Sequence, residues 1–171
     1  MINQFEHLFS SPRYWIEEQK AKKLLQLREQ SKISGAKKNN VSVPIPADHY
    51  RLVWRLTTNA TNTRTIICTI LPPNVVTVNS LNYVRPLFLN GKKFVKTLSF
   101  EELLYLCGML NSFVIDFIMR RRVASAINIF HMMEIRIPKP DKNDPLFKKL
   151  AKYAAQLICT TKEFDGIKNE L

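Results

Sequence analysis

The 171-residue sequence is poor in glycine, cysteine and acidic residues, and the first two shortages exclude whole classes of protein. Its four glycines are too scattered to form a glycine-rich phosphate-binding loop. Cys68, Cys107 and Cys159 lie far apart, a spacing that fits neither a zinc site nor a disulfide framework and indicates reduced thiols in a cytoplasmic protein. The N-terminus carries no recognisable signal peptide, and the apolar run 103–119 contains an asparagine and an aspartate, so we expect no membrane span.

Side chains that would carry catalysis are also sparse. The histidines are scattered without metal-ligand spacing, and neither a nucleophile elbow nor a zinc-protease motif occurs. We therefore predict a binding module with no catalytic residue and no metal site. A small enzyme, such as a nuclease remnant, stays open, with Glu101 and Asp116 as its acidic candidates.

Positive charge, by contrast, is abundant. Lys and Arg number 26 against 14 Asp and Glu, which gives a net charge of +12. Such an excess favours an anionic partner, with nucleic acid as the first candidate and a membrane surface as the second, although it can also serve solubility alone. The length suits one domain, and a hydrophobic content of 46% is enough for a core.

Residues 98–136 predict the element around which the chain is organised. Ser99 and Glu102 form a capping-box signature, which predicts that a helix begins there. Apolar residues then recur at helical spacing on more than one face, so we expect a single buried helix that ends at the arginines of 120–122. Its expected core residues are Leu103, Leu106, Leu110, Phe113 and Phe117. The β-branched residues of 132–138 then predict a short strand.

Two hairpins are predicted ahead of this helix. Residues 51–57 alternate and 64–71 form a β-branched run, so a polar loop between them indicates an antiparallel pair. Residues 75–78 are a further strand candidate, and 79–83 read as a polar loop. The second hairpin joins 84–89 to 94–98 through an Asn-Gly turn, a strong hairpin signal.

Helices are expected at both ends of the chain. Residues 13–34 are rich in good helix formers but carry only a thin apolar stripe. Asp144 and Pro145 are typical of a helix start. The apolar face predicted for that helix consists of Phe147, Leu150, Ala154, Leu157 and Thr161.

These patterns together predict an α+β fold, in which a mixed or antiparallel sheet with hairpins packs on a buried central helix between terminal helices. We divide the chain into an N-terminal helical segment and linker (1–40), a core (41–140) and a C-terminal helix (141–171).

Short motifs follow one another in a specific order over roughly residues 10–165. They are the segments 13–15, 50–55, 60–65, 70–73, 79–83, 103–114 and 128–138. In order and spacing they resemble the C-terminal target-recognition (specificity) domain of type IIG-like and related type II restriction-modification enzymes, which are adenine-specific DNA methyltransferases.

The resemblance implies a sequence-specific DNA recognition module whose partners are double-stranded DNA and the methyltransferase catalytic domain of the parent protein. The family's catalytic Asn-Pro-Pro-Tyr/Phe motif is missing here, because Leu71 rather than Asn precedes Pro72 and Pro73. Alone, the chain is therefore expected neither to methylate nor to cut DNA and to need no cofactor, while S-adenosylmethionine is expected for the missing methylase domain. The alternative is a basic protein–protein interaction or scaffold module of a larger nucleic-acid enzyme.

The resemblance, combined with the chemistry of DNA recognition, marks a set of contact candidates. Arginine can pair with guanine through two hydrogen bonds, lysine suits phosphate, and polar loop residues suit base edges. The candidates are Arg51, Arg55, Arg64, Asn79, Asn82, Tyr83, Lys92, Lys93, Arg120, Arg121 and Arg122. Each has a plainer alternative: ion pairing or packing for the arginines, turn formation for the asparagines and a solvated turn for the lysines. Asn128 and Phe130 match a family motif but are predicted to be structural.

Overall fold

A computed structural model describes residues 16–32, 43–59, 61–91 and 93–169. The chain forms two units, Met1–Ile45 and Pro46–Leu171. The first contains helix α1 (Glu18–Ser31), which begins with an ion pair between Glu18 and Lys22 at 2.6 Å. The predicted N-terminal helix is thus confirmed at Glu18–Ser31, whereas its expected residues 13–15 and 33–34 lie outside the described residues.

The second unit is an α+β mixture of helices and two small antiparallel sheets, as predicted. Its larger sheet has the strand order β2-β1-β3, with β1 at Arg51–Arg55, β2 at Cys68–Leu71 and β3 at Leu81–Tyr83. The antiparallel pairing of β1 with β2 confirms the first hairpin. β2 begins later than the predicted residue 64, because the backbone N–H groups of Thr65 and Ile66 bond to a side chain instead of a strand.

Residues 75–78 belong to no strand among the described residues, so that prediction is wrong. The third strand comes instead from the segment read as a polar loop, since Leu81 pairs with Arg55 and Tyr83 with Val53. The second hairpin is confirmed as β4 (Leu87–Asn90) and β5 (Lys93–Lys96). Gly91 at its turn has φ +61°, a conformation that glycine adopts without steric cost.

The predicted central helix is two helices, α2 (Phe100–Leu110) and α3 (Phe113–Arg122), bent by 64°. The Ser99–Glu102 capping box that starts α2 is confirmed. The expectation of one helix is wrong because Ser112 caps a new helix, accepting a hydrogen bond from the Ile115 backbone at 3.3 Å.

The bend also changes which residues are buried. Leu103 and Leu110 are in the core, as predicted. Phe113 and Phe117 are 81% and 61% exposed, so their assignment to the core is wrong. Because α3 turns away from the direction of α2, the helix face that is buried in α2 faces solvent in α3 and exposes these two phenyl rings.

A short helix replaces the strand predicted at 132–138. Helix α4 (Ile129–Met133) begins at Asn128, whose backbone N–H donates to Nδ1 of His131 at 3.1 Å. The described residues 134–138 form no strand, so that prediction is wrong. The ring of Phe130 is 53% exposed.

Helix α5 (Pro145–Ile158) begins as predicted, because Asp144 accepts the backbone N–H of Leu146 at 2.8 Å. Its buried residues Ala151 and Ala154 share the core with α2, and the ring of Phe147 packs on that of Tyr105 in α2, with centroids 4.8 Å apart. Of the predicted apolar face, Phe147 and Ala154 are buried, whereas Leu157 is 79% exposed and Thr161 lies beyond the end of the helix. A 3₁₀ turn at Lys162–Phe164 leads into α6 (Asp165–Lys168).

Trp54 is at the centre of the core. It is 1% exposed, and its indole N–H donates to the carbonyl of Ile127 at 2.9 Å. Asn82 donates to the same carbonyl at 3.2 Å, so β1, β3 and the segment before α4 meet at one oxygen atom. The three cysteines are free and buried, as expected of core thiols.

Among the described residues no single helix is long and apolar enough to cross a membrane. The bent pair α2–α3 reaches that length and apolar character only when its two helices are taken together.

Candidate nucleic-acid interface

The loop between β1 and β2 is fixed to α3 by one buried carboxylate. Asp116, in the first turn of α3, is 5% exposed. Its Oδ1 accepts the backbone N–H of Thr65 at 2.8 Å and of Ile66 at 2.9 Å. An acidic side chain is favoured there by the partial positive charge of the helix N-terminus. The loop therefore has a set position against the helix.

Two arginines flank this carboxylate. The Nε atom of Arg64 lies 3.5 Å from Oδ1 of Asp116, and Nη2 of Arg120 lies 3.4 Å from Oδ2. Arg64 also donates to the carbonyl of Asn111. One acid with two guanidinium groups leaves a net positive charge at the end of the sheet.

Arg120 also holds the loop itself. Its Nη2 donates to the carbonyls of Asn62 at 2.8 Å and Thr63 at 2.9 Å. With its amide oxygen turned toward the donors, Asn62 accepts from Nη2 of Arg55 at 3.0 Å and from the backbone N–H of Asn59 at 3.1 Å. Arg55 and Arg64, at the two ends of this loop, are thus brought together with Arg120 of α3, and we call these three residues the arginine cluster.

The next two arginines of α3 are exposed to solvent. Arg121 is exposed, and its guanidinium lies 5.8 Å from the ring centroid of Phe117. Arg122 pairs with Glu134 at 3.9 Å and donates to the Glu134 carbonyl at 3.5 Å. Both side chains can therefore contact an anion from solvent. Arg122 would have to give up its ion pair with Glu134, whereas Arg121 has no ion pair among the described residues.

Arg51 has a different environment from the one expected of a base contact. It is 2% exposed, donates to the carbonyl of Val75 and lies 5.4 Å from the ring centroid of Tyr83. Burial lowers the pKa of Arg51, while Tyr83 and Asp48 favour its charged form. The buried side chain of Arg51 therefore packs against the half-buried ring of Tyr83.

The remaining candidates are dispersed. Asn79 is exposed in the turn before β3, whereas the side chain of Asn82 donates to a core carbonyl. Lys93 is exposed at the start of β5. Lys92 lies outside the described residues.

Sequence reasoning missed the exposed aromatic face of α3. The face consists of Phe113, Val114 and Phe117, which are 81%, 69% and 61% exposed. The guanidinium of Arg64 lies 4.9 Å from the ring centroid of Phe113. The available signal was Ser112, a good N-cap residue inside an apolar run, which marks a possible helix start.

Within the described parts of the chain, no group of three or more His, Cys, Asp or Glu side chains has the arrangement of a metal site. Comparisons of the chain with protein-family models, with curated proteins and with solved structures find no match.

Proposed function

We propose that this chain is the sequence-specific DNA recognition module of a restriction-modification adenine-N6 DNA methyltransferase, with the catalytic methylase domain outside this chain. The observation that carries the proposal is the arginine cluster. Asp116, which lies between Arg64 and Arg120, supplies only one negative charge against these two guanidinium groups, so the cluster keeps a net positive charge. The net charge of +12 and the order of the sequence motifs support the same function.

In this function the exposed cations bind phosphates and set the position of the duplex. Arg121 and Lys93 suit this role, because both are exposed. Sequence is read at base edges, for which guanidinium groups and amides are the usual donors. Within the cluster, Arg64 and Arg120 are held in fixed positions by Asp116 and by loop carbonyls, so their remaining N–H groups are oriented in advance.

The buried Arg51 and the half-buried Asn82 and Tyr83 have a supporting role in the proposal. Arg51 and Tyr83 hold the strand β1 and the segment after β2 in place, and Asn82 fixes β3 to the core. Base reading then rests on the arginine cluster and Asn79. The methylase domain of the parent would extrude the adenine and bind S-adenosylmethionine, while this module selects the site.

A salt titration with matched charge variants tests the interface. Binding of a fluorescent duplex of random sequence is measured by anisotropy for the intact chain and for Arg121→Gln, Lys93→Gln and Lys152→Gln. The first two variants remove a phosphate contact, so each should weaken binding and lower the slope of log K against log salt by about 1. Lys152 is an exposed lysine of α5 and serves as the control with the same charge change. An equal loss at Lys152 contradicts a localised interface.

Selection from a random duplex library tests sequence recognition itself. The proposal expects a recurring short motif among the retained duplexes. Retained duplexes without any common sequence contradict target recognition while leaving general DNA binding in place.

One observation favours the scaffold function as a second candidate. The outer face of α5 exposes Leu146, Tyr153 and Leu157, which are 74%, 50% and 79% exposed. Apolar side chains along one helix face are typical of a protein interface. The substitutions Leu146→Gln and Leu157→Gln should leave DNA affinity unchanged but weaken association with the parent's methylase domain in a co-purification assay. Association that needs this face, combined with salt-insensitive DNA binding, would favour the scaffold.

A further inference from the structure

We propose that the exposed aromatic face of α3 (Phe113, Val114 and Phe117) is a stacking platform for unpaired DNA bases. The inference deepens the proposed function, on which it rests, by naming the form of DNA that this surface takes: a strand whose bases are open, rather than an intact duplex.

The first argument is exposure. Large apolar side chains are usually buried, yet Phe113 is 81% exposed and Phe117 is 61% exposed. The two rings lie four residues apart on one helix face, so their Cα atoms are separated by about 6 Å along the helix axis. Two neighbouring rings can each offer a face to one base of an extended strand, and stacking of this kind accepts any base.

The second argument is charge. A guanidinium group lies over one side of each ring, that of Arg64 at 4.9 Å from the Phe113 centroid and that of Arg121 at 5.8 Å from the Phe117 centroid, so a base would stack on the opposite side. The carboxylate of α3, Asp116, is 5% exposed and already paired with Arg64 and Arg120. The face therefore combines flat apolar surface with unbalanced positive charge.

This combination identifies the occupant. A strand of DNA with open bases supplies planar rings and a phosphate on every nucleotide, so one molecule matches both properties. In an intact duplex the base faces are stacked on one another, and only phosphates and groove edges are available. An apolar protein surface would fit the rings but would take the exposed guanidinium group of Arg121, which has no ion pair among the described residues, out of water without supplying an anion, at a cost in desolvation.

The probe is a fluorescent oligothymidylate of about twelve nucleotides, compared with a paired duplex of the same length. Anisotropy is measured with the full chain and with Phe117→Ala, Phe117→Tyr and Phe117→Leu. The Ala variant should bind the oligothymidylate about fivefold or more weakly, as loss of one stacking ring predicts, and its affinity for duplex should change by less than about twofold. The Tyr variant keeps an aromatic ring and should bind as the wild type does. The Leu variant keeps apolar area without a ring and should behave as Ala.

Two controls separate stacking from folding and from general aromatic loss. Phe88→Ala removes a 46% exposed ring from the β4–β5 hairpin and should leave oligothymidylate binding unchanged. Phe117→Ala should keep the wild-type melting temperature, because the side chain it truncates is already largely in solvent.

Three results would overturn the inference. They are failure of the wild type to bind the oligothymidylate, equal binding by wild type and Phe117→Ala, and full binding by Phe117→Leu, which would indicate an apolar protein interface. Each is distinguishable from failure of the proposed function, because the duplex library reports sequence recognition whether or not the aromatic face stacks bases.

Discussion

The side chain of Asn111 and the backbone of Cys68 bond to each other in both directions. Nδ2 of Asn111 donates to the Cys68 carbonyl at 2.8 Å, and its Oδ1 accepts the Cys68 N–H at 3.3 Å. The same Nδ2 donates to the carbonyl of Cys107 at 2.9 Å, near the end of α2. One amide therefore joins the last turn of α2 to the first residue of β2 and fixes the bend before α3.

Removal of this amide should destabilise the protein. Asn111→Ala leaves the backbone N–H and carbonyl of Cys68 without their partner, while the Cys107 carbonyl keeps the backbone N–H of residue 111 at 3.1 Å, so we expect the free energy of unfolding to fall by about 1–3 kcal/mol. Asn111→Asp keeps the size but turns an oxygen toward the carbonyls of Cys68 and Cys107, and should cost at least as much. Urea unfolding followed by far-UV circular dichroism measures both. Unchanged stability in both variants would show that the pair is dispensable.

Asp116 should matter for stability more than any exposed ion pair. Asp116→Ala leaves Arg64 and Arg120 without their carboxylate and two backbone N–H groups without an acceptor, so we expect a loss of about 3–5 kcal/mol. Glu134→Ala is the matched control, because it breaks the exposed pair with Arg122 and should cost about 0–1 kcal/mol. Chemical denaturation of the two variants gives the comparison. A similar small cost in both would refute the structural role of Asp116.

The capping box at the start of α2 should make stability depend on pH. A hydrogen bond from the Ser99 backbone at 2.7 Å, assisted by Lys142 at 3.2 Å, lowers the pKa of Glu102 below its ordinary value of 4.5. Since the folded pKa is the lower one, this stabilisation is complete above pH 4.5 and is lost as the pH falls through the folded value. Glu102→Gln should therefore be less stable than wild type at neutral pH, with a difference that shrinks on acidification.

Thermal melts at a series of pH values measure this difference. Ser99→Ala is the companion variant and should lower stability by about 0.5–2 kcal/mol, the usual range for loss of an N-cap. A difference in melting temperature between Glu102→Gln and wild type that grows as the pH falls would contradict the lowered pKa of Glu102.

The core thiols should resist alkylation. The Sγ atoms of Cys68 and Cys107 lie 3.7 Å apart, and burial, together with this neighbour, raises the pKa of Cys68 well above its usual value. Burial also raises the pKa of Cys159, where Lys168 acts in the opposite direction. Because the thiolate is the reactive form, iodoacetamide at mildly alkaline pH should label Cys68 more slowly than Cys159 in the native chain.

Peptide mass spectrometry gives the labelling rate at each cysteine. In concentrated urea the difference should disappear, which serves as the control. Native labelling of Cys68 at the unfolded rate would mean that the β2–α2 contact opens readily.

Local signals predicted the elements that depend on neighbouring residues. The Ser99–Glu102 box and the Asn90-Gly91 turn act within four residues, so their outcome follows from sequence alone. The break at Asn111 depends on a partner in β2, 43 residues away, and the apolar periodicity continues through it. Apolar periodicity alone therefore predicts one helix that continues past Leu110, where α2 ends.

The candidate site was predictable in composition but not in arrangement. Alternation places Arg51 and Arg55 on the same face of β1, yet only the folded chain shows that Arg51 is buried. Arg64 and Arg120 meet because both contact Asp116, which spacing along the sequence does not reveal. Apolar periodicity places Phe113 and Phe117 in the core because it ignores the bend, which the local Ser112 cap starts and the contact of Asn111 with β2 fixes.

The burial of Trp54 has a practical consequence for spectroscopy. The chain has two tryptophans, Trp15 and Trp54, so Trp15→Phe leaves a single indole as fluorophore. Its emission maximum should shift to the red when water reaches the Ile127 carbonyl to which the indole is bonded. A stopped-flow trace of that emission would then time the separation of the sheet from the segment before α4.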